Sequence, residues 1–292
     1  MKSAFQKVAS ALRPRPPRQP HEVSSKAGRN LPAAIVTAIA LLSLVPLSVV
    51  VHIEIFVVLV AIFLSIGLWE FAGALLVKEI KIALIPLVVG VWVMVAVTWV
   101  YGLGAGMIAY LLTCGISLIW RTFSARHAFT DGLVGCFGLG WIGLFGLFAV
   151  RIAALENAPL MVASFVLLPV ANDTFGWLVG IFFGKTPIMP KISPKKSWEG
   201  FAGSMAGTLV VAIVLLHFVA GFNWYWAVLV GIVAPVFATA GDFAESLMKR
   251  DLGVKDMGSI FPGHGGMLDR IDSMLFFAPV CYSIFALATG VL

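Results

Sequence analysis

Apolar residues in this chain do not alternate with polar ones, and they do not form a narrow helical stripe. They come in long runs of about 20, the length that crosses the hydrocarbon core of a bilayer as a helix. Such runs lie at 31–49, 53–75, 82–100, 103–120, 130–149, 158–183, 201–220, 223–241 and 271–291. Pro46, His52 and Glu54 interrupt the first pair. Glycine recurs along the runs, as it does where membrane helices approach closely. Neither a strand-like alternation of barrel length nor an internal repeat is visible. The pattern predicts an all-α, polytopic integral membrane protein with about nine transmembrane helices.

Composition agrees. Apolar residues make up 60% of the chain and charged residues 12%, about half the charge of a soluble domain. The charges are clustered, and their positions set an orientation. With the N-terminus cytoplasmic and nine spans, 19 of the 20 Lys and Arg fall on the cytoplasmic side, and Arg151 alone falls outside. Residues 1–30 are polar and basic, with Arg13, Arg15 and Arg18 among prolines, and lack the short apolar run and cleavage site of a signal peptide. They are expected to form a disordered cytoplasmic tail that sets topology and can meet anionic head groups. Residues 31–150 then form an N-terminal group of membrane helices, and 151–292 a C-terminal group with the long cytoplasmic loops. Cys114, Cys136 and Cys281 stand alone in apolar segments and suggest no zinc site, redox pair or disulfide.

Two polar loops share the cytoplasmic face. The first, 184–200, holds four lysines and one glutamate. Ser197 is a candidate N-cap for the following span, and backbone N–H groups at that helix start, beside Lys195 and Lys196, suit a phosphate. Taken alone, the loop is better explained by its role in fixing orientation. The second, 241–273, is different in kind: it holds six of the chain's 14 acids and has a net charge of −2. Topology requires no such acids.

Spacing organises them. Asp242, Glu245, Ser246 and Lys249 share one face of a helix continuing out of the eighth span, and Asp269 and Asp272 share a face at the start of the ninth. Carboxylates at membrane helix ends are costly unless paired or bound to an ion. Oxygen ligands without a cysteine cluster suit a hard cation such as Mg²⁺. Asp242 and Asp269 fit metal binding best on spacing, whereas Asp272 and Asp173, the latter inside the sixth span, are balanced between ligand and structural roles. Asp251 and Asp256 read as salt-bridge partners of Arg250 and Lys255. Gly253, Gly258, Gly263, Gly265 and Gly266 lie between the two helices and permit N–H groups to converge on an anion. Carboxylates, glycines and basic side chains together are the parts of metal-assisted phosphoryl or nucleotidyl transfer.

The ordered run Ser246-Leu-Met-Lys249-Arg250, Lys255-Asp256, Pro262-Gly-His264-Gly265-Gly266 and Asp269-Arg270-Ile-Asp272 resembles the pattern of phosphatidate cytidylyltransferases. Asp173-Thr174, Gly180, Gly184-Lys185 and Ser193-Pro-Lys195-Lys196-Ser197-Trp-Glu-Gly200 resemble that family's other shared segments. The likeness spans about 170–275, and the first half resembles the family only in being hydrophobic. Gly176-Trp177 departs from the alanine and tyrosine common there. The resemblance implies transfer of CMP from CTP to phosphatidic acid, giving CDP-diacylglycerol and pyrophosphate, with Mg²⁺ required. It also implies a second, monovalent cation such as K⁺ and a homodimer. By motif position, Asp242 and Asp269 would be the metal-binding carboxylates, and Asp272 and Asp173 stand beside them as further metal candidates from their own positions. Lys249 and Arg250 join Asp242 and Asp269 as catalytic residues. Lys195, Lys196, Ser197, Lys255, His264, Gly265, Gly266 and Arg270 contact substrate. The expected setting is a bacterial inner membrane, with the site facing the cytoplasm and no nucleic acid as partner. Two alternatives stand beside this reading. A CTP-dependent lipid-alcohol kinase would need a general base and would release CDP; an ion transporter would show two repeated halves with broken helices.

Overall fold

The computed structural model describes residues 13–17, 43–123, 128–261 and 265–291. Eight helices among these residues are long and apolar enough to span a membrane. They are α1 (Ile53–Lys78), α2 (Leu84–Tyr101), α3 (Leu103–Thr122), α4 (Ala128–Ile152), α5 (Ala158–Phe183), α6 (Trp198–Val219), α7 (Trp224–Leu252) and α8 (Leu268–Thr289). They coincide with eight of the nine apolar runs. Of the remaining run, 31–49, only residues 43–49 are described, and they are helical. Residues 31–42 lie outside the described residues, as do most of the basic tail. Within the tail, the backbone of Arg15 rests on Gly73 of α1, so closely that a side chain at Gly73 would collide with the Arg15 carbonyl.

Local chemistry sets the helix ends that matter for the site. The Ser197 hydroxyl accepts from Gly200 N–H at 3.1 Å and caps α6. Gly253, at φ 72°, ends α7 in the left-handed conformation, and Val254 N–H bonds back to Lys249 O at 2.9 Å. The apolar run at 223–241 thus continues for three further turns, which carry Asp242, Glu245 and Lys249 out of the apolar region on one helix. Helix α8 begins at Leu268 rather than 271, so both Asp269 and Asp272 lie in its first turns.

The loop at 184–200 holds the only strands among the described residues, a short antiparallel hairpin. Its strands are β1 (Pro187–Met189) and β2 (Ser193–Ser197), with Pro187 opposite Ser197. Glu199 fastens it: one carboxylate oxygen accepts from Lys185 N–H and Thr186 N–H, both at 3.1 Å, and the other accepts from the Thr186 hydroxyl at 2.9 Å. The hydrophobic pattern could not register so short a pairing.

Helix α8 is central and touches α1, α4, α5 and α7. Helices α5 and α6 form the most intimate pair. Gly176, Gly180 and Gly184 recur every fourth residue on α5 and its end, facing Ser197, Gly200 and Ser204; Gly203 and Gly207 of α6 face Val179 and Phe175 in return. In lipid, helix association rests on such close packing, because the solvent is as apolar as the side chains. Ser204 Oγ, donating to Asn172 O at 2.6 Å, crosses the same interface. Arg121 and Asp131, both buried, form an ion pair between α3 and α4.

Gly203→Val places methyl groups where Val179 and the Phe175 carbonyl already stand. It is expected to destabilise the protein by about 1–3 kcal/mol, read as a lower unfolding temperature in detergent. An unchanged unfolding temperature would show that α5 and α6 are not held by this contact.

Candidate active site

Helices α5, α7 and α8 bring their polar residues to one cavity of about 500 Å³. Asp173, Asp242, Glu245, Asp256, Asp269 and Asp272 line it, with Lys249 and Arg270. Both helix-face groupings read from spacing therefore converge, and so does the lone acid of the sixth span. Asp256, expected to pair with Lys255, faces this cavity instead. Among the described residues no ion pair joins it to Lys255, or Asp251 to Arg250; Lys255 is exposed.

Asp269 is the most fully engaged. Its carboxylate accepts from Lys249 Nζ at 2.6 Å, from Gly266 N–H at 2.7 Å, and from Met257 N–H at 3.2 Å to each oxygen. Gly265, at φ 81°, supports this closure, since a Cβ there would stand 2.9 Å from the Asp269 carboxylate. The anion on which backbone N–H groups of this segment, those of Met257 and Gly266, converge is thus the protein's own carboxylate. Lys249 bridges Asp269 to Glu245 of its own helix, 2.5 Å away. Arg250 turns the other way and donates to Ile192 O at 3.4 Å, tying the hairpin to α7. Asp242 pairs with Lys196, which also sits 5.3 Å from the Phe243 ring centroid. Asn172 donates to Asp173 at 3.0 Å and orients it. His264 lies outside the described residues. Arg270 faces the acidic cavity, while Lys195 and Ser197 face a neighbouring one with Lys196.

Sequence reasoning missed Glu70. It lies in α1 and is almost fully buried, and its carboxylate accepts from Leu268 N–H, the first residue of α8, at 2.9 Å. Gly258 and Gly266 leave the space it occupies: a Cβ on either would collide with the carboxylate. A residue 198 positions upstream thus anchors the start of the helix that carries Asp269 and Asp272. The available signal was an acid in the interior of an apolar run, the same signal that marked Asp173.

The fit to a cation can be judged from the donors. Six carboxylates face the cavity against two basic side chains. Glu245 is buried, and its Oε1 finds no hydrogen-bond partner among the described residues. Asp272, also buried, lies within electrostatic reach of Glu245 and Asp242. Among the described residues no three ligands form a ready-made cage; Lys196 pairs with Asp242 and Lys249 with Asp269. The donor set is all oxygen and short of positive charge, which suits Mg²⁺.

A family model described as the cytidylyltransferase family matches residues 32–288. The chain belongs to the cytidylyltransferase family. Relatives agree along nearly the whole length. A protein of Mycobacterium leprae named phosphatidate cytidylyltransferase is 34% identical over 287 residues, covering 92% of each chain. One of Mycobacterium bovis with the same name is 34% identical over 272 residues, 88% of this chain and 89% of its own. A third, from Bacillus subtilis, is 30% identical over 246 residues, 80% and 89% respectively. This cytidylyltransferase-family chain is an integral membrane protein, and the match extends well beyond the motif region into the N-terminal helices that carry Glu70.

Glu70→Ala removes the acceptor for Leu268 N–H and is expected to cost about 1–3 kcal/mol and to lower turnover. Glu70→Gln keeps one acceptor oxygen and is expected to retain most of the stability. Thermal unfolding of both variants in detergent checks this, and an alanine variant as stable as wild type would remove Glu70 from the account.

Proposed function

We propose that the chain transfers CMP from CTP to phosphatidic acid, forming CDP-diacylglycerol and releasing pyrophosphate. The observation that carries this reading is the acidic, cation-poor cavity that opens into an apolar lining between membrane helices, in a chain whose relatives carry that activity as their name. A two-chain lipid stays in the bilayer, and a nucleotide arrives from water. A site where helices leave the membrane meets both, on the cytoplasmic side of a bacterial inner membrane.

The nucleophile is an oxygen of the lipid's phosphate monoester. Its second pKa is about 6, so it is largely ionised at neutrality and needs no strong base. It attacks the α-phosphorus of CTP; the new P–O bond forms as the bond to the β-phosphate oxygen breaks, and the electron pair leaves on pyrophosphate. The difficulty is bringing two anions together. Asp242, Asp272 and Asp173, with Asp269 where Lys249 yields, would hold Mg²⁺. A bound Mg²⁺ supplies charge neutralisation for the converging phosphates and the leaving group. A monovalent cation such as K⁺ is the proposed second ion, and a homodimer the proposed assembly. Lys195, Lys196 and Arg270 neutralise phosphate charge, with Lys255 and His264 at the loop. Lys249 acts by fixing Asp269 and Glu245, and Arg250 by fixing the hairpin.

Purified protein in mixed micelles with CTP, Mg²⁺ and phosphatidic acid is expected to release pyrophosphate and form a CMP-bearing lipid. Asp242→Asn and Asp269→Asn are each expected to lower turnover by about 100-fold or more while the protein remains folded. Release of CDP with phosphorylation of a polyprenol instead would make the chain a lipid-alcohol kinase. Near-normal turnover of Asp269→Asn across Mg²⁺ concentrations would remove Asp269 from the metal site.

A further inference from the structure

Two cavities meet at one wall. The acidic cavity extends from Asp242 and Asp269 into an apolar recess that includes Phe56, Leu59, Phe63, Phe165 and Val170. These residues belong to the apolar spans α1 and α5. The second cavity, about 270 Å³, lies between α5, the hairpin, α6 and α7, and is lined by Trp177, Lys195, Lys196, Ser197 and Phe201, with Asn172 and Thr239. Asp173 and Asp242 line both cavities.

The two linings ask for different ligands. Acyl chains gain by leaving polar surroundings for apolar ones, and the apolar recess of the first cavity provides such surroundings beside a polar head-group region. A nucleoside triphosphate is a polyanion bearing a flat π-face. In the first cavity six carboxylates outnumber Lys249 and Arg270 and oppose it, whereas the second sets two lysines against only the two shared carboxylates and adds polar amide and hydroxyl groups and two aromatic rings on which a base can stack. The shared wall satisfies a further requirement. In phosphoryl transfer the attacking and leaving oxygens lie roughly in line, on opposite sides of the phosphorus. Substrates approaching from two cavities across Asp173 and Asp242 meet that condition.

We infer that the substrates are divided between the cavities: the lipid's acyl chains lie in the recess formed by α1, α5 and α8, and the nucleoside triphosphate lies in the hairpin cavity, its phosphates on Lys195 and Lys196 and its base against Trp177 or Phe201. This division rests on the cytidylyltransferase reading above. It gives the Lys196–Asp242 ion pair a function. A triphosphate that draws Lys196 to itself releases the Asp242 carboxylate at the moment the nucleotide is in place, so the resting pair keeps this half-buried acid neutralised until then.

Steady-state kinetics on the full chain in mixed micelles separates the two cavities. Lys195→Ala and Trp177→Ala alter exposed side chains. Each is expected to raise the KM for CTP by about fivefold or more, with the KM for phosphatidic acid, in surface concentration, within twofold. Val170→Phe, at a half-buried position of the recess, is expected to do the reverse, with the larger effect on lipids with longer acyl chains. Gel filtration confirms that each variant is folded. If wild type forms CMP-lipid but the two sets of variants move the opposite constants, or move both together, the division is wrong and the activity stands. If wild type forms no CMP-lipid, the activity itself falls, and the division with it.

Discussion

The Asp269 carboxylate is the point on which the polar end of the molecule closes. A carboxylate enclosed by protein is tolerated only when its lone pairs are used and its charge is answered, and here Lys249 and the N–H groups of Met257 and Gly266 do both. Meeting that demand folds the segment after α7 back on the start of α8. It fixes Gly265 in a conformation that glycine adopts without strain, and draws Lys249 between two acids. Of the other cavity carboxylates, Asp242, Glu245 and Asp272 are placed by the same two helices and Asp173 by α5, and these are less completely answered. Asp173, Asp242 and Asp272 among them are the acids proposed to hold a cation.

That local closure depends on a distant one. Glu70 takes up Leu268 N–H and fills the space left by Gly258 and Gly266, so the N-terminal helices brace the loop as well as filling the membrane. The α5–α6 glycine contacts play the matching role on the other side, bringing the hairpin and its lysines against α7. The site is thus held from two directions by buried contacts.

The sequence made the spans legible because an uninterrupted apolar run of membrane length has few other interpretations. It also made the acids of α7 and α8 legible, since helical spacing alone puts Asp242, Glu245 and Lys249 on one face. What it could not show was which charges answer each other. Asp256 beside Lys255 looked like a local pair, yet neighbours in sequence point apart, and Asp256 faces the cavity. Lys249 and Arg250 looked like one basic unit, but a helix turns about 100° per residue and sends one to Asp269 and the other to the hairpin. Glu70 was hidden because its partner is a backbone N–H, which leaves no mark on the side-chain pattern. The hairpin was hidden because strands of three and five residues are too short for a period to emerge.

The Glu70–Leu268 bond also bears on how the protein is made. Its two ends are separated by 198 residues, and ribosomes add about 5–20 residues per second. For roughly 10–40 s after Glu70 is synthesised, the helix that will cover its carboxylate does not yet exist. During that interval the acid must be accommodated by water, by lipid head groups or by the insertion machinery. The protein therefore passes through membrane insertion with this deeply buried acid uncovered until α8 is made, and the helix that covers it also carries Asp269 and Asp272 of the candidate site.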